Sequence, residues 1–281
     1  MSQHQSTHMS SVNGIAVHYL LEGPPDAPFL MFGNGLATST AMWDEQASYF
    51  SRRWRVLRYD TRGHGSSGVS APPYSAGQLA DDVLGLLDCL GIAQVHYVGL
   101  SLGGMIGQYL AARHSDRLTS LVLCDTTMHM NRQMWDARIA CIEANGIEPQ
   151  VQPSIDRWFT PSFSAAHSDI IDLLRRMIRK TSKQGYLGCA MAIRDMDLTL
   201  LTSTIGVRTL ILVGRDDRST PVGDANALHA AIPGSELVVL DHAAHLPNIE
   251  QAHQFNAVLE QFLDGVTGRP ESSSMSGCLS E

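Results

Sequence analysis

The sequence predicts an α/β fold in which a mostly parallel sheet carries helices on both faces. Short apolar runs, typical of buried strands, recur along the chain. Amphipathic stretches of about ten to fifteen residues separate these runs, and such alternation is typical of parallel sheets. With 281 residues, 44% of them hydrophobic, the chain is long enough to bury a sizeable core.

The elements follow from these patterns in chain order. Residues 12–21 alternate around the turn Asn13-Gly14, which predicts strand structure near the sheet edge. Apolar runs predict further strands at 28–32, 54–59, 95–100, 117–125, 207–213 and 236–240. Helical spacing predicts helices at 42–50, 75–90, 105–113, 223–231 and 248–263, the second of them capped by Ser75. The fold class is therefore α/β, with a mostly parallel sheet flanked by helices.

The alternation of strands and helices breaks in the middle of the chain. Residues 129–201 are helical in pattern and richer in Met, Trp and Arg, so we expect an insertion that covers the strand ends as a lid. The core then comprises 12–128 and 202–264. The polar ends, 1–11 and 265–281, are expected to be disordered tails.

Composition argues against several classes of protein. The net charge of −8 does not favour nucleic acid or an anionic membrane as a partner. No run of about 18 apolar residues predicts a membrane span, and the N-terminus lacks the apolar segment of a secretory signal. The five Cys form no CxxC pair, which favours a reduced, cytoplasmic setting. No dinucleotide or metal motif is present, so we expect no cofactor and no metal. The sequence does not indicate an oligomeric state.

The segment Gly99-Leu100-Ser101-Leu102-Gly103 is the first candidate catalytic feature. It follows a predicted buried strand and precedes a predicted helix. In such a tight strand-to-helix turn the serine hydroxyl is exposed above the sheet, and the flanking glycines avoid clashes between strand and helix. We therefore predict that Ser101 is a nucleophile.

A serine nucleophile needs a base and an acid that orients the base. In a parallel sheet these groups collect beyond the carboxyl ends of the strands. Asp217 and His245 each follow a late strand, and the order Ser, Asp, His is that of the α/β-hydrolases. Three residues of the same types are expected to be structural instead. Asp216 stabilises a turn, His242 lies at the surface or behind the site, and His64 holds its Gly-rich loop.

The oxyanion of the reaction needs two backbone donors. The amide of Leu102, directly after the nucleophile, is one candidate. The amide of Leu36, in the turn after an early strand, is the other.

Several segments together resemble the 3-oxoadipate enol-lactonase type of α/β-hydrolase over residues 12–264. They are the serine motif and Asp60-Thr61-Arg62-Gly63-His64, Met42-Trp43-Asp44, Arg157-Trp158-Phe159-Thr160-Pro161, the lid segment 185–197 and Ala243-Ala244-His245-Leu246-Pro247. The resemblance implies the α/β-hydrolase fold, with an eight-stranded, mostly parallel sheet and a helical lid. It also implies a triad of Ser101, Asp217 and His245. It also implies hydrolysis of 3-oxoadipate enol-lactone in aromatic degradation.

Such a small-molecule substrate carries a carboxylate. As candidates to bind it we take the lid residues Trp135, Arg157 and Arg194. Each also has a structural alternative: lid packing for the tryptophan, and an ion pair within the lid for the arginines, for instance Arg194 with Asp195 or Asp197.

Two other functions use the same fold. A carboxylesterase or a metal-free haloperoxidase (perhydrolase) needs the same triad with a different pocket lining. A small-molecule receptor, from another functional class, would bind its ligand with slow or absent turnover.

Overall fold

The computed structural model describes residues 6–268, which contain one eight-stranded sheet. Its strands are β1 (Ser6–Val12), β2 (Ile15–Glu22), β3 (Phe29–Gly33), β4 (Arg55–Tyr59), β5 (Val95–Leu100), β6 (Leu118–Cys124), β7 (Thr209–Gly214) and β8 (Glu236–Leu240). They lie in the order β1-β2-β4-β3-β5-β6-β7-β8. β1 pairs antiparallel with β2, and β2 with β4, whereas the strands from β4 to β8 pair in parallel. The predicted fold class is confirmed.

Twelve α-helices occur in the described residues. They are α1 (Asp44–Phe50), α2 (Ala76–Cys89), α3 (Leu102–Arg113), α4 (Arg132–Asn145), α5 (Val151–Trp158), α6 (Pro161–Ala166), α7 (Ser168–Lys180), α8 (Lys183–Asp195), α9 (Thr199–Thr202), α10 (Val222–Ala231), α11 (Pro247–Glu250) and α12 (Ala252–Thr267). Strands β5, β6 and β7 are buried along their length except at Thr119. No described helix has the length and apolarity that crossing a membrane requires.

Local signals placed most element boundaries within two residues of the observed ones. Strands β5 and β8 have the predicted bounds. Ser75 caps α2 through its hydroxyl, which accepts a hydrogen bond from the Gln78 amide. The predicted closing helix is instead two helices, because the chain breaks its helical conformation at Gln251.

The prediction of disordered tails is wrong where the structure describes them. Ser6–Ser11 belong to β1, although their side chains are mostly polar. Backbone pairing with β2 across the Asn13-Gly14 turn holds them, and the His8 ring stacks on Tyr19 at 5.2 Å. Helix α12 also continues through 265–267. Residues 1–5 and 269–281 lie outside the described residues.

Helices α4 to α9 occupy the chain between β6 and β7, in the segment that we treat as the lid. One of them, α8, packs directly against a core loop through two glycines. A Cβ on Gly63 would lie 2.2 Å from Gly185 Cα, and a Cβ on Gly185 would lie 2.3 Å from the Gly63 carbonyl oxygen. The two backbones therefore touch where no side chain fits between them.

Candidate active site

Ser101 sits in a strained turn between β5 and α3. Its backbone has φ 54° and ψ −113°, in a region that residues with a Cβ rarely adopt. A Cβ on Gly99 would lie 2.2 Å from the Gly103 carbonyl oxygen, and one on Gly103 would lie 2.4 Å from that of Gly33. Only glycine fits at both positions, so the turn has the geometry of a nucleophile elbow.

Asp217 and His245 lie together beyond the ends of β7 and β8. The His245 Nδ1 atom is 2.8 Å from Asp217 Oδ2, and both residues are buried. Asp217 also accepts hydrogen bonds from the Thr220 hydroxyl and the Ser219 amide, each at 2.7 Å. Burial raises the pKa of Asp217, but the His245 charge and these hydrogen bonds outweigh it and lower that pKa below its ordinary value. The arrangement keeps Asp217 ionised, as an acid that orients a histidine must be.

The neighbouring residues of the same types are placed differently. Asp216 and His242 are exposed. His64 is buried with Nδ1 3.1 Å from the Arg62 carbonyl oxygen, and burial lowers its pKa, so it stays neutral inside its loop. These positions agree with the structural interpretations of all three residues.

A cavity of about 390 Å³ opens onto Ser101 and His245. Leu36 lines it beside Gly35, close to the serine. Leu102 is the first residue of α3, and amides in the first turn of a helix have no partner within it. Leu36 therefore shares the cavity with Ser101, and Leu102 adjoins the serine at the start of α3, where the positive end of the helix dipole favours negative charge.

Residues of the lid line this cavity as well; we call them its lid wall, and the residues of the core around Ser101 and His245 its core wall. The lid wall comprises Met130, Met134, Trp135, Ala137, Arg138, Cys141, Gln150, Arg157, Trp158 and Ile193. Of the two aromatic rings, Trp135 has a buried indole N–H that meets no acceptor among the described residues. The lid thus contributes both apolar surface and polar groups to the site.

Three arginines face the cavity: Arg138 and Arg157 from the lid and Arg218 from the loop after β7. Within the described residues, none of the three lies within 4 Å of a carboxylate. Among the described side chains Arg157 has one hydrogen bond, of 3.3 Å to the Ser154 hydroxyl, while burial and the charge of Arg138 lower its pKa to about 10. Since even this group is protonated at neutral pH, the cavity lining carries positive charge that no described carboxylate neutralises in a direct ion pair.

Of the predicted substrate-binding residues, Trp135 and Arg157 line the cavity and Arg194 does not. The Arg194 guanidinium binds Asp195 at 2.7 Å and Asp136 at 3.2 Å. Ile193 fills the wall instead, and the next residue of a helix points about 100° away from it. The assignment of Arg194 to the substrate is therefore wrong, and its alternative, the pair with Asp195, is correct.

Sequence reasoning missed Arg138, Gln150 and Arg218. Arg138 stacks over the Trp135 ring at 4.9 Å and donates from Nε to Gln150 Oε1 at 3.1 Å. One available signal was the spacing of Trp135 and Arg138, because residues i and i+3 share a helix face. For Arg218 the available signal was its position directly after Asp217 in the sequence.

Glu250 joins the lid to the loop that carries His245. Its Oε1 atom accepts a hydrogen bond from the Thr160 amide at 3.0 Å and another from the Thr160 hydroxyl. Its Oε2 atom accepts from the Ala244 amide at 2.9 Å. The Leu246 amide also donates to the Trp158 carbonyl oxygen at 3.1 Å, so the two segments are bonded on both sides of His245.

One group of described residues has the donor atoms of a metal site: Asp125, Asp217 and His245, whose atoms lie within 4.8 Å of one another. Two of the three already bind each other through the 2.8 Å hydrogen bond. This pairing fits a triad acid and base better than two free ligands.

Comparison with known proteins agrees with this geometry. A family model for the alpha/beta hydrolase fold matches residues 28–140. The chain is 36% identical to 3-oxoadipate enol-lactonase 2 of Acinetobacter baylyi, over 88% of this chain and 92% of that protein. It is 30% identical to a putative carbamate hydrolase RutD of Agrobacterium fabrum, over 88% and 98% respectively.

A solved structure extends the similarity to three dimensions. The enol-lactonase of Burkholderia xenovorans LB400 superposes with a TM-score of 0.89 at 36% identity, covering 91% of this chain and 99% of that one. Fold, sequence and site geometry lead to one conclusion. The chain belongs to the α/β-hydrolase family, and within it is similar to the 3-oxoadipate enol-lactonases.

Proposed function

We propose that this protein is a serine hydrolase that opens a small lactone carrying a free carboxylate, with 3-oxoadipate enol-lactone as its substrate. The observation that carries the proposal is the pairing of two features in one cavity. Ser101 and His245 line it from the core, and arginines without carboxylate partners among the described residues line it too, two of them from the lid. Such a cavity offers an anionic acyl compound both a nucleophile and a binding site for its charge.

The chemistry follows from the placement of these groups. His245, oriented by Asp217, removes the proton of the Ser101 hydroxyl as its oxygen attacks the lactone carbonyl. The amides of Leu36 and Leu102 hold the oxyanion. Cleavage of the ring C–O bond releases an enolate, which takes up a proton and becomes a ketone, so reclosure is unfavourable. Water, deprotonated by His245, then hydrolyses the acyl-enzyme.

Arg138, Arg157 and Arg218 supply the charge that the substrate carboxylate needs. A guanidinium binds a carboxylate through two parallel N–H groups, and burial strengthens the contact. Trp135, with its free indole N–H, adds a donor beside Arg138. The similarity to two enol-lactonases supports the same substrate class. The reduced, cytoplasmic setting expected from the cysteines is part of this proposal, and the four cysteines that are described are free thiols.

The test compares two substrates in wild type and Ser101→Ala. Hydrolysis of 3-oxoadipate enol-lactone is followed by its ultraviolet absorbance, with p-nitrophenyl acetate as the neutral ester. We expect kcat/KM for the lactone to be far above that for the ester and both to be lost in the variant. Turnover of the ester alone would indicate a general esterase and would reject the lactone as the substrate. Thermal stabilisation by the lactone without turnover would indicate a receptor.

A further inference from the structure

A second carboxyl group lies beside the Asp217–His245 pair, and the proposed mechanism does not use it. Asp125 follows β6, which lies between the strand leading to Ser101 and the strand leading to Asp217. The residue is 1% exposed. Its amide donates to the Leu212 carbonyl oxygen at 2.9 Å, and its Oδ1 atom accepts from the Gly214 amide at 2.9 Å. The backbone of the two strand ends therefore fixes this carboxyl in place.

The other oxygen of Asp125 has an unusual environment. Oδ2 is buried and meets no hydrogen-bond donor among the described residues. The carboxyls of Asp125 and Asp217 and the His245 ring all approach within 4.8 Å of one another. Two carboxylates this close, shielded from water, do not both ionise, so one of them retains a proton.

The partners of each group decide which carboxyl holds the proton. Asp217 is surrounded by donors from Ser219, Thr220 and His245, all of which stabilise the ionised form. Asp125 has a single backbone donor. Burial first, and the Asp217 charge second, raise the pKa of Asp125 well above its ordinary value.

Two further titratable groups face Asp125. Negative charge on Glu250 acts in the same direction as that on Asp217. Burial raises the pKa of the Cys124 thiol, so that group is neutral and adds no charge. Neither of these two groups favours ionisation of Asp125, and the Gly214 amide, which does, is outweighed by burial and the Asp217 charge.

We propose that Asp125 is a neutral carboxylic acid that donates its proton in a hydrogen bond to the Asp217 carboxylate and so positions the acid of the triad. The inference rests on the proposed function, because it assigns Asp217 and His245 their roles. Asp125 touches neither substrate nor serine in this scheme. It acts through Asp217, whose carboxylate it holds in the plane that His245 Nδ1 requires and whose negative charge it disperses.

The proton itself is tested without any turnover, by the pH dependence of unfolding in wild type and Asp125→Asn. Unfolded Asp125 loses its proton above about pH 4, whereas folded Asp125 keeps it. The folded wild type then binds one more proton than the unfolded chain, and its stability falls as the pH rises. Asparagine does not titrate. We expect the urea unfolding constant of wild type, divided by that of the variant, to rise about tenfold per pH unit between about pH 5 and pH 7.

A ratio that stays constant over that range would overturn the proposal, because Asp125 would then be ionised in both states. The measurement also separates the two levels of inference. A protein that fails the lactone assay but shows the pH-dependent ratio refutes the proposed substrate and keeps the protonated Asp125.

The positioning role is tested by rescue. Asp125→Ala removes the donor to Asp217, and we expect kcat to fall about tenfold or more on lactone and ester alike with KM unchanged. Asp125→Asn keeps an N–H donor and a carbonyl acceptor for Gly214, so it restores most of kcat. With the donor absent, the Asp217 charge is less dispersed, and the acid limb of the pH–rate profile of Asp125→Ala moves to higher pH. Equal losses of kcat in the two variants would reject the proposal that Asp125 donates a hydrogen bond to Asp217.

Discussion

The two walls of the cavity differ in how their polar groups are satisfied. On the core wall, Asp217 accepts hydrogen bonds from Ser219, Thr220 and His245, so its geometry is complete before any ligand arrives. On the lid wall, the hydrogen bond of Arg157 to a described residue is the long one to Ser154, at 3.3 Å. The difference teaches that the core is organised for the reaction, whereas the lid retains binding capacity for the molecule that reacts.

The contrast between the two walls would be refuted most directly if the core wall were not catalytic. We expect His245→Ala to lower kcat by about 10⁴-fold or more on lactone and ester alike, because both reactions need the same base. Steady-state kinetics on the two substrates measure this. The matched control is His242→Ala, which alters an exposed histidine three positions earlier. A comparable loss of kcat in His242→Ala would show that the assignment of His245 as the base is wrong.

Substitutions in the lid wall should separate the two substrates. We expect Arg138→Met and Arg157→Met each to raise KM for the lactone by about 10- to 100-fold, since each removes a charged hydrogen bond. KM for p-nitrophenyl acetate should change little, because the ester carries no charge. Arg194→Met is the matched control, as this lid arginine binds Asp195 and Asp136 outside the cavity. Similar changes for both substrates would show that the arginines serve the lid's structure.

The smallest expected effect concerns the contact between the walls. Glu250→Gln leaves one acceptor oxygen for the amides of Thr160 and Ala244, which should lower the free energy of unfolding by about 1–2 kcal/mol. We also expect a fall in kcat of about tenfold or less on both substrates, because the His245 loop loses a support. Ser75→Ala is the control, since loss of the α2 cap costs about 1 kcal/mol far from the cavity. If both variants lose the same stability and kcat is intact in both, Glu250 does not support the loop.

The sequence predicted the core better than the lid for a physical reason. Ser101 is marked by local sterics, because glycines at 99 and 103 are the only residues that fit its turn. Strand β5 is buried throughout, so its apolar run reads directly as structure. Asp217 and His245 were found because parallel strands bring their carboxyl ends to one edge. Each of these signals lies within a few residues of the feature that it predicts.

The cavity side of the lid depends instead on how helices pack. Arg194 and Arg138 are both helical arginines, and composition does not tell which of them faces the substrate. The structure does, since Arg194 pairs with acids at the surface and Arg138 stacks on Trp135. The prediction that Ser6–Ser11 are disordered failed for a related reason. The partner strand holds this segment through backbone hydrogen bonds, which side-chain patterns do not reveal.

The contact between Gly63 and Gly185 limits how this architecture can diverge. With the two backbones touching, either glycine can be replaced only by moving helix α8 away from the core loop that holds Gly63. The contact therefore fixes α8 against the core, whereas most of the lid residues that line the cavity belong to α4 and α5. We expect substitutions in those two helices to change which acyl compound binds while the elbow and His245 keep their places.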